Sequence, residues 1–514
     1  MAENTFSVES FSPENLIKVV TSGRADRPDG APPQVGYLAR YCEMLDAKTI
    51  VSESHYIDRH YVDEFASYYS RMLSPPPNIA KRVHLFSHSF TDAELQDWFQ
   101  RGFTSCKDRE EVEKHIASAP EGSSAGNGYL GYIVVRPIPT VPVGRTVLVR
   151  LPNGETLRQI WATNRHTVHF GNLTLKVDGL AFQQQDAAVG LCATAALWGA
   201  LTCVARHDGM RAPTPAEITD AAVRNPRASN RTILSANHGL TIQELCEATR
   251  AFNFSPEMFW PTPPEHFASA LHTYLLSGIP VVLALERNQI GHAVTAVGFQ
   301  LSTTSNPVLE GEVALRSSKM NKIYIHDDRL GPYARALLKT RSAVLSPAAV
   351  DAPSDELENN TWLELEIENE VWRIGAAFAP VYPKLRLSHS SLLMLALYMN
   401  GVIEKMVGEA AATTLQLDFR YERSGDYLGR LSGKINDPKQ ASSFVQRVSL
   451  SRWCGIIRWY QLDSEFIELV YDTTDVVREA PVEGLGLLKA AVSLNPDSRG
   501  IVQDIGEGLQ IPWV

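Results

Sequence analysis

Residues Gln183–Trp198 read QQQDAAVGLCATAALW. Polar residues and a glycine precede Cys192, whereas alanine and leucine, which are strong helix formers, follow it. The pattern predicts a loop that becomes a helix at Cys192. The free amides and the positive dipole end of a helix N-terminus favour a thiolate, the nucleophilic form of cysteine. Gln185 lies seven residues upstream, where its amide and a backbone N–H could stabilise an oxyanion.

A base for this thiolate must come from elsewhere in the chain, because such partners adjoin in space and not in sequence. One hundred positions after Cys192, residues 291–299 read GHAVTAVGF, an apolar run whose only ionisable group is His292. We expect a buried strand that presents this imidazole at its start. Residues 322–333 then predict a second strand, which ends in Asp327 and Asp328. Either carboxylate could orient the imidazole, and Asp327 is preferred because it is nearer the strand end.

Residues 180–335 resemble the papain-like superfamily and, most closely, its bacterial C39-like peptidase branch. In that family a glutamine, a cysteine that opens a helix, a His-Ala/Val strand and an aspartate ending the next strand follow in this order. The resemblance implies an α+β fold and a site that needs no cofactor. It implies Cys192 as nucleophile, His292 as base, Asp327 as the group that orients the base, and Gln185 in the oxyanion hole. The family's glutamine lies six residues before the cysteine, so Gln184 stays an alternative.

The function that this resemblance implies is a cysteine peptidase, which hydrolyses a peptide or isopeptide bond through a thioester acyl-enzyme. A transglutaminase or an amidase would use the same triad with a different acceptor or substrate, because specificity lies in the loops. A catalytically inactive binding or scaffold protein on a peptidase fold is the alternative from another class. The predicted partner is a protein or peptide substrate, and the sequence leaves the oligomeric state open.

Composition narrows the functional classes. The 514 residues are enough for two to four domains, and a net charge of −10 argues against nucleic-acid binding, which needs a basic face. Six cysteines without a CxxC motif indicate reduced thiols and no structural zinc. The N-terminus lacks signal-peptide features, and the longest apolar run, residues 392–399, is too short to span a bilayer. We therefore expect a cytoplasmic protein that does not bind membranes.

The chain divides into three predicted units. Residues 1–150 are expected to form an N-terminal α/β accessory domain, 151–341 the papain-like peptidase domain, and 362–514 a C-terminal α+β accessory domain. A linker is predicted over 346–361. Capping boxes that begin at Thr91, Thr214 and Thr241 predict helix starts. Histidine pairs at 55/60, 84/88 and 166/169 lack a partner pattern such as HExxH, so no metal site is predicted.

Overall fold

The structure is a computed structural model that combines helices and sheets in every region of the chain. It describes residues 5–121, 123, 126–152, 158–185, 192–224, 239–302, 313–342, 361–408, 414–435, 437–474 and 487–514. The predicted linker 346–361 lies outside these ranges except for residue 361. Among the helices described, none combines the length and the apolar character needed to cross a membrane.

An antiparallel sheet with helices packed on it forms the N-terminal region. Its strands, in spatial order, are β1 Phe6–Ser10, β2 Thr49–Tyr56, β3 Ala80–Phe86, β4 Tyr129–Val135 and β5 Val143–Leu148. Its helices are α1 Pro13–Val20, α2 Pro33–Met44, α3 Arg59–Glu64, α4 Asp92–Thr104 and α5 Cys106–Ala117. Every strand pair is antiparallel, so this region is α+β and the predicted α/β layout is wrong. Helices lie in the connections between β1 and β4, but the strands that they join run antiparallel, so these connections are not the crossovers of a parallel sheet.

A short hairpin and a group of helices follow. The hairpin consists of β7 Asn164–Phe170 and β8 Leu173–Gly179. The helices are α6 Cys192–His207, α7 Pro215–Val223, α8 Ile242–Ala251 and α9 Pro264–Leu276. The capping boxes predicted at Thr91, Thr214 and Thr241 are all present and begin α4, α7 and α8. In each box the threonine hydroxyl and a glutamate three residues later satisfy amides that the first helical turn leaves unpaired.

Six antiparallel strands close into a barrel that carries the predicted histidine and aspartate. They are β10 Val281–Arg287, β11 Ile290–Leu301, β13 Met320–Asp327, β14 Gly331–Ser342, β15 Thr361–Ile367 and β16 Glu370–Val381. Pairing of β16 with β10 closes the barrel, and β6 Arg158–Ile160 and β9 Ser255–Phe259 extend it. β15 and β16 belong to the predicted C-terminal domain, so the predicted boundary at 362 falls inside the barrel.

The remaining C-terminal chain builds most of a further sheet, and one short strand that precedes β13 joins it. It contains β12 Ala314–Leu315, β17 Leu415–Arg423, β18 Trp453–Gln461, β19 Ser464–Asp472 and β20 Leu488–Ser493. Helices α10 His389–Val407, α11 Ser424–Ser432, α12 Pro438–Arg447 and α13 Arg499–Leu509 accompany it. The Trp459 indole donates a hydrogen bond of 3.0 Å to Asn400 and thereby joins β18 to α10.

The N-terminal region contacts the barrel at the turn between β13 and β14. The Gln34 amide donates to the Asp328 carbonyl at 2.9 Å, and the Tyr37 hydroxyl donates to the Pro332 carbonyl at 3.0 Å. A Cβ on Gly331 would lie 2.2 Å from the Tyr37 ring, so only glycine permits this approach. Helix α2 thus rests directly on the segment that follows Asp327.

Candidate active site

Cys192 lies on α6, which is described from this residue onward, and its side chain is half-buried. The preceding residues 186–191 lie outside the described ranges. Most of the helix after Cys192 is buried, including Leu197 and Trp198, so packing on several sides fixes its position. The Thr295 hydroxyl donates a 2.7 Å hydrogen bond to the Ala196 carbonyl and ties the first turns of α6 to β11.

His292 lies near the start of β11 and faces both predicted partners. Its Nε2 is 3.0 Å from Oδ1 of Asp327, and an interaction with the Cys192 side chain contributes to raising the pKa of its imidazole. Because Nε2 is bound to the carboxylate, Nδ1 is the nitrogen left for the thiol. Only 6% of His292 is exposed to solvent. The structure therefore brings together Cys192, His292 and Asp327, although the first and the last of them are 135 positions apart in the sequence.

Asp327 is the last residue of β13, the strand that pairs with β11. Oδ1 accepts the hydrogen bond from His292 and a second one, of 2.9 Å, from the backbone N–H of Arg329. The residue is 2% exposed. Two donors hold this carboxylate in one orientation, so it can fix the rotation of the imidazole.

Opposing effects act on the pKa of His292. Burial lowers it, but hydrogen bonds with Asp327 and Cys192 and the negative charges of Asp327 and Asp328 raise it by more. The result is a pKa raised from 6.5 to about 10. An imidazolium is accordingly the favoured form at neutral pH, which is the state that pairs with a thiolate nucleophile.

Asp328 lies on the same side as Asp327, because it belongs to the turn after β13 and strand alternation no longer applies there. Its Oδ1 is 4.0 Å from Nε2 of His292 and is buried without a hydrogen-bond partner among the described residues. Burial raises its pKa from 3.8 to about 7, against the lowering effect of His292. Asp327 makes the direct hydrogen bond, which favours it over Asp328 as the orienting carboxylate.

The three glutamines before Cys192 have different surroundings. The Gln183 amide donates to Glu64, and the Gln184 amide oxygen accepts the backbone N–H of Val143 at 3.2 Å. Both side chains are therefore held by the N-terminal region. Gln185 is half-buried, and its amide oxygen has no hydrogen-bond partner within the described ranges. The Gln184 side-chain amide N–H also donates to the Thr140 carbonyl at 3.5 Å, and because an oxyanion hole needs a free donor, this favours Gln185 over Gln184.

A buried ion pair of the N-terminal region supports this glutamine segment. Arg136 donates to Glu64 at 3.1 Å and to the Gln184 carbonyl at 2.8 Å. Neither charged side chain is more than 1% exposed. The backbone of Phe182 pairs with Thr146 in an isolated bridge, so the segment also extends the edge of the N-terminal sheet. Local sequence patterns do not reveal this ion pair, because Glu64, Arg136 and Gln184 are far apart in the chain.

Trp372 is a site residue that the sequence reasoning missed. It lies on β16, and its ring centroid is 5.3 Å from that of His292 with a 47° interplanar angle. It is 3% exposed and covers one side of the imidazole. Excluding water there strengthens the hydrogen bond between His292 and Asp327. The sequence assigned Trp372 to an accessory domain, because the pairing of β16 with β10 is not visible in local patterns.

Two further observations concern nearby residues. His326, which precedes Asp327, is buried between the rings of Phe182 and Tyr333, and burial lowers its pKa to about 3. A metal was not predicted, although donor atoms of His292, Asp327 and Asp328 all lie within 4.8 Å of one another. An imidazole and two carboxylates suit a divalent cation. The same imidazole is shared with Cys192, as a cysteine nucleophile requires.

No protein-family model matches the chain, and no curated protein is significantly similar to it in sequence.

Proposed function

We propose that the protein is a cysteine peptidase of papain-like, C39-like fold that hydrolyses a peptide or isopeptide bond. The observation that carries the proposal is the imidazole of His292, which is hydrogen-bonded to the carboxylate of Asp327 at 3.0 Å and whose pKa is raised further by its interaction with Cys192. Helix α6, which carries the proposed nucleophile, and a closed antiparallel barrel that carries the proposed base and carboxylate also support it.

In the proposed reaction Cys192 Sγ attacks the amide carbonyl as a thiolate, while the imidazolium of His292 holds the proton. The oxyanion is stabilised by the backbone N–H of Cys192 and the side-chain amide of Gln185. His292 then donates its proton to the leaving amine, which departs and leaves a thioester. In the second half-reaction His292 removes a proton from water, which attacks the thioester and releases the acid and the free thiolate. Asp327 keeps the imidazole oriented throughout.

Transfer to an amine, as in a transglutaminase, would replace water in the second half-reaction, and an amidase would differ only in the amide attacked. Both remain alternatives because the acyl-enzyme is the same. The inactive scaffold is the alternative that a labelling experiment separates most directly.

The test is covalent labelling of the full chain with a peptidyl chloromethyl ketone, followed by mass-spectrometric mapping. We expect modification at Cys192 and its loss in the His292→Ala variant. Cys203→Ala is the matched control, since this thiol lies on the same helix but is 0% exposed. Labelling that is unchanged in His292→Ala, or absent from Cys192 in the folded chain, would refute the proposal. A product assay on a labelled peptide substrate, with and without an added amine, then distinguishes hydrolysis from transfer.

A further inference from the structure

A cleft of about 420 Å³ opens directly beside His292. It lies where hairpin turns of the barrel meet, and its walls include Arg287 at the end of β10, Arg329 between β13 and β14, and Glu370 and Trp372 on β16. Asn288, also in the wall, has a φ of 49° and belongs to the tight turn that joins β10 to β11. Since the turns are short, the cleft is part of the barrel framework.

Apart from His292, which is paired with Asp327, two arginines and one glutamate give the cleft its charge. Arg287 and Arg329 both pair with Glu370, the latter at 2.9 Å, and these contacts lower the pKa of Glu370. With Glu370 ionised, the three groups carry a net charge of +1. Both guanidinium groups also lie over the Trp372 ring, at 5.7 and 5.3 Å from its centroid.

The arginines retain capacity to bind a ligand. Their side chains are 38% and 46% exposed, and a guanidinium offers five N–H donors in a fixed fork. Glu370 engages one nitrogen of each in the contacts given above. A guanidinium fork matches a carboxylate in shape and charge, and Trp372 supplies a flat apolar floor beneath it. The surplus positive charge selects an anion over a neutral group of the same size.

The position of the cleft indicates which part of a substrate would enter it. His292 lines it, whereas Cys192 and the rest of α6 do not. In the proposed reaction the thiolate takes the acyl side of the scissile amide, and His292 delivers a proton to the leaving amine. A group bound beside His292 and away from Cys192 is therefore attached to the leaving amine.

We infer that this cleft binds a carboxylate on the amine side of the scissile bond, one or two residues beyond it. The carboxylate belongs either to an acidic side chain or to the free C-terminus of the substrate. This inference rests on the proposed function for its orientation, but the binding of a carboxylate does not need turnover. Arg329 also connects the cleft to the triad, because its backbone N–H is bonded to Asp327.

The first experiment measures binding without catalysis. The full-length Cys192→Ala variant is titrated calorimetrically with short peptides that mimic the leaving segment. Asp-Ala-Ala-amide is compared with Asn-Ala-Ala-amide, and Ala-Asp-Ala-amide with Ala-Asn-Ala-amide, to test a side chain at either position. Ala-Ala is compared with Ala-Ala-amide to test a free terminus. We expect at least tenfold tighter binding of the carboxylate in one of these pairs.

Variants locate the binding. Arg287→Gln and Arg329→Gln, made singly and together in the Cys192→Ala chain, should each reduce the preference, and the double variant should abolish it. Arg373→Gln is the matched control: it removes the same charge next to Trp372 in sequence, but its guanidinium lies over Trp362 instead, 5.8 Å from that ring. It should leave the preference unchanged. Equal affinity within all three peptide pairs overturns the inference, as does a preference that survives the double variant.

A second experiment separates this inference from the proposed function. Wild-type protein is incubated with a synthetic peptide library, and the cut positions are read by mass spectrometry. Cleavage without enrichment of Asp, Glu or a free terminus after the cut leaves the peptidase proposal intact and overturns the carboxylate cleft. Failure of Cys192 to react with the chloromethyl ketone, together with carboxylate-selective binding, has the opposite meaning: it refutes the peptidase and supports the cleft.

Discussion

Replacing Asp327 by asparagine should lower the pKa of His292, because it removes the hydrogen bond to a charged acceptor and the negative charge beside the ring. In the wild-type chain this pKa is about 10 instead of 6.5. At about 1.4 kcal/mol per pKa unit, the folded chain favours the imidazolium by about 5 kcal/mol. Cys192 and Asp328 supply part of this, so Asp327→Asn should lower the pKa by about 1–3 units, the usual effect of one adjacent opposite charge.

The same change alters how stability depends on pH. A histidine whose pKa is raised on folding stabilises the fold fully below its unfolded pKa of about 6.5. This contribution is lost as the pH rises through the folded value of about 10. Wild-type protein should therefore lose stability between pH 6.5 and 10 through this group. Asp327→Asn should be less stable than wild type at pH 6, and the difference should shrink towards pH 10.

The assay is an NMR titration with histidine labelled at Cε1. The chain has 14 histidines, so the His292 signal is identified by its absence from His292→Gln. Asp328→Asn is the control, because it removes a negative charge 4.0 Å from Nε2 but no hydrogen bond to the ring. A His292 pKa near 6.5 in the wild type, or a larger fall of this pKa in Asp328→Asn than in Asp327→Asn, would contradict the role assigned to Asp327. In activity, Asp327→Asn should retain more of the rate than Asp327→Ala, because asparagine still accepts the imidazole hydrogen bond.

Three further predictions concern Cys192, Asp328 and Glu64. Under limiting iodoacetamide, Cys192 should be alkylated faster than the exposed Cys106, because the His292 imidazole interacts with Cys192; peptide mapping that finds Cys106 first contradicts this. Asp328→Asn should raise the melting temperature at pH 8 and not at pH 4, since a carboxyl pKa raised to about 7 destabilises the fold as the pH rises above 3.8. Glu64→Ala should cost about 3–5 kcal/mol in denaturant unfolding, because it leaves Arg136 buried without its partner, and a loss below 1 kcal/mol would be inconsistent with that ion pair.

Local sequence was sufficient for the parts of the site that depend on single elements. The alanine-rich residues after Cys192 predicted helix α6, and an apolar run with one ionisable residue placed His292 on a strand. Capping boxes placed α7 and α8, because their hydrogen bonds join residues three apart. Each of these features is decided by neighbours within a few positions, which is the range over which such patterns act.

Features that depend on distant pairing could not be read in this way. Side-chain alternation along a strand would turn Asp328 away from Asp327, but the strand ends at Asp327 and the turn brings both carboxylates to His292. The predicted division near residue 362 followed a linker-like composition. β15 and β16 nevertheless complete the barrel, because their partners β14 and β10 precede that segment. Composition records where a chain is polar, and it carries no information on which strands pair.

The residues that surround and support the site also come together through pairing between distant segments. Barrel closure between β10 and β16 places Trp372 against His292 and brings Glu370 between Arg287 and Arg329. None of these residues adjoins Cys192 in sequence. The N-terminal region acts similarly from the other side, since its Glu64 binds the glutamine segment that precedes the nucleophile. The residues proposed to perform the chemistry are thus local to a few motifs, whereas those that orient and shield them come from the whole chain. A truncated chain limited to residues 151–341 would lose both supports, so we expect Cys192, His292 and Asp327 to need the flanking regions to keep their geometry.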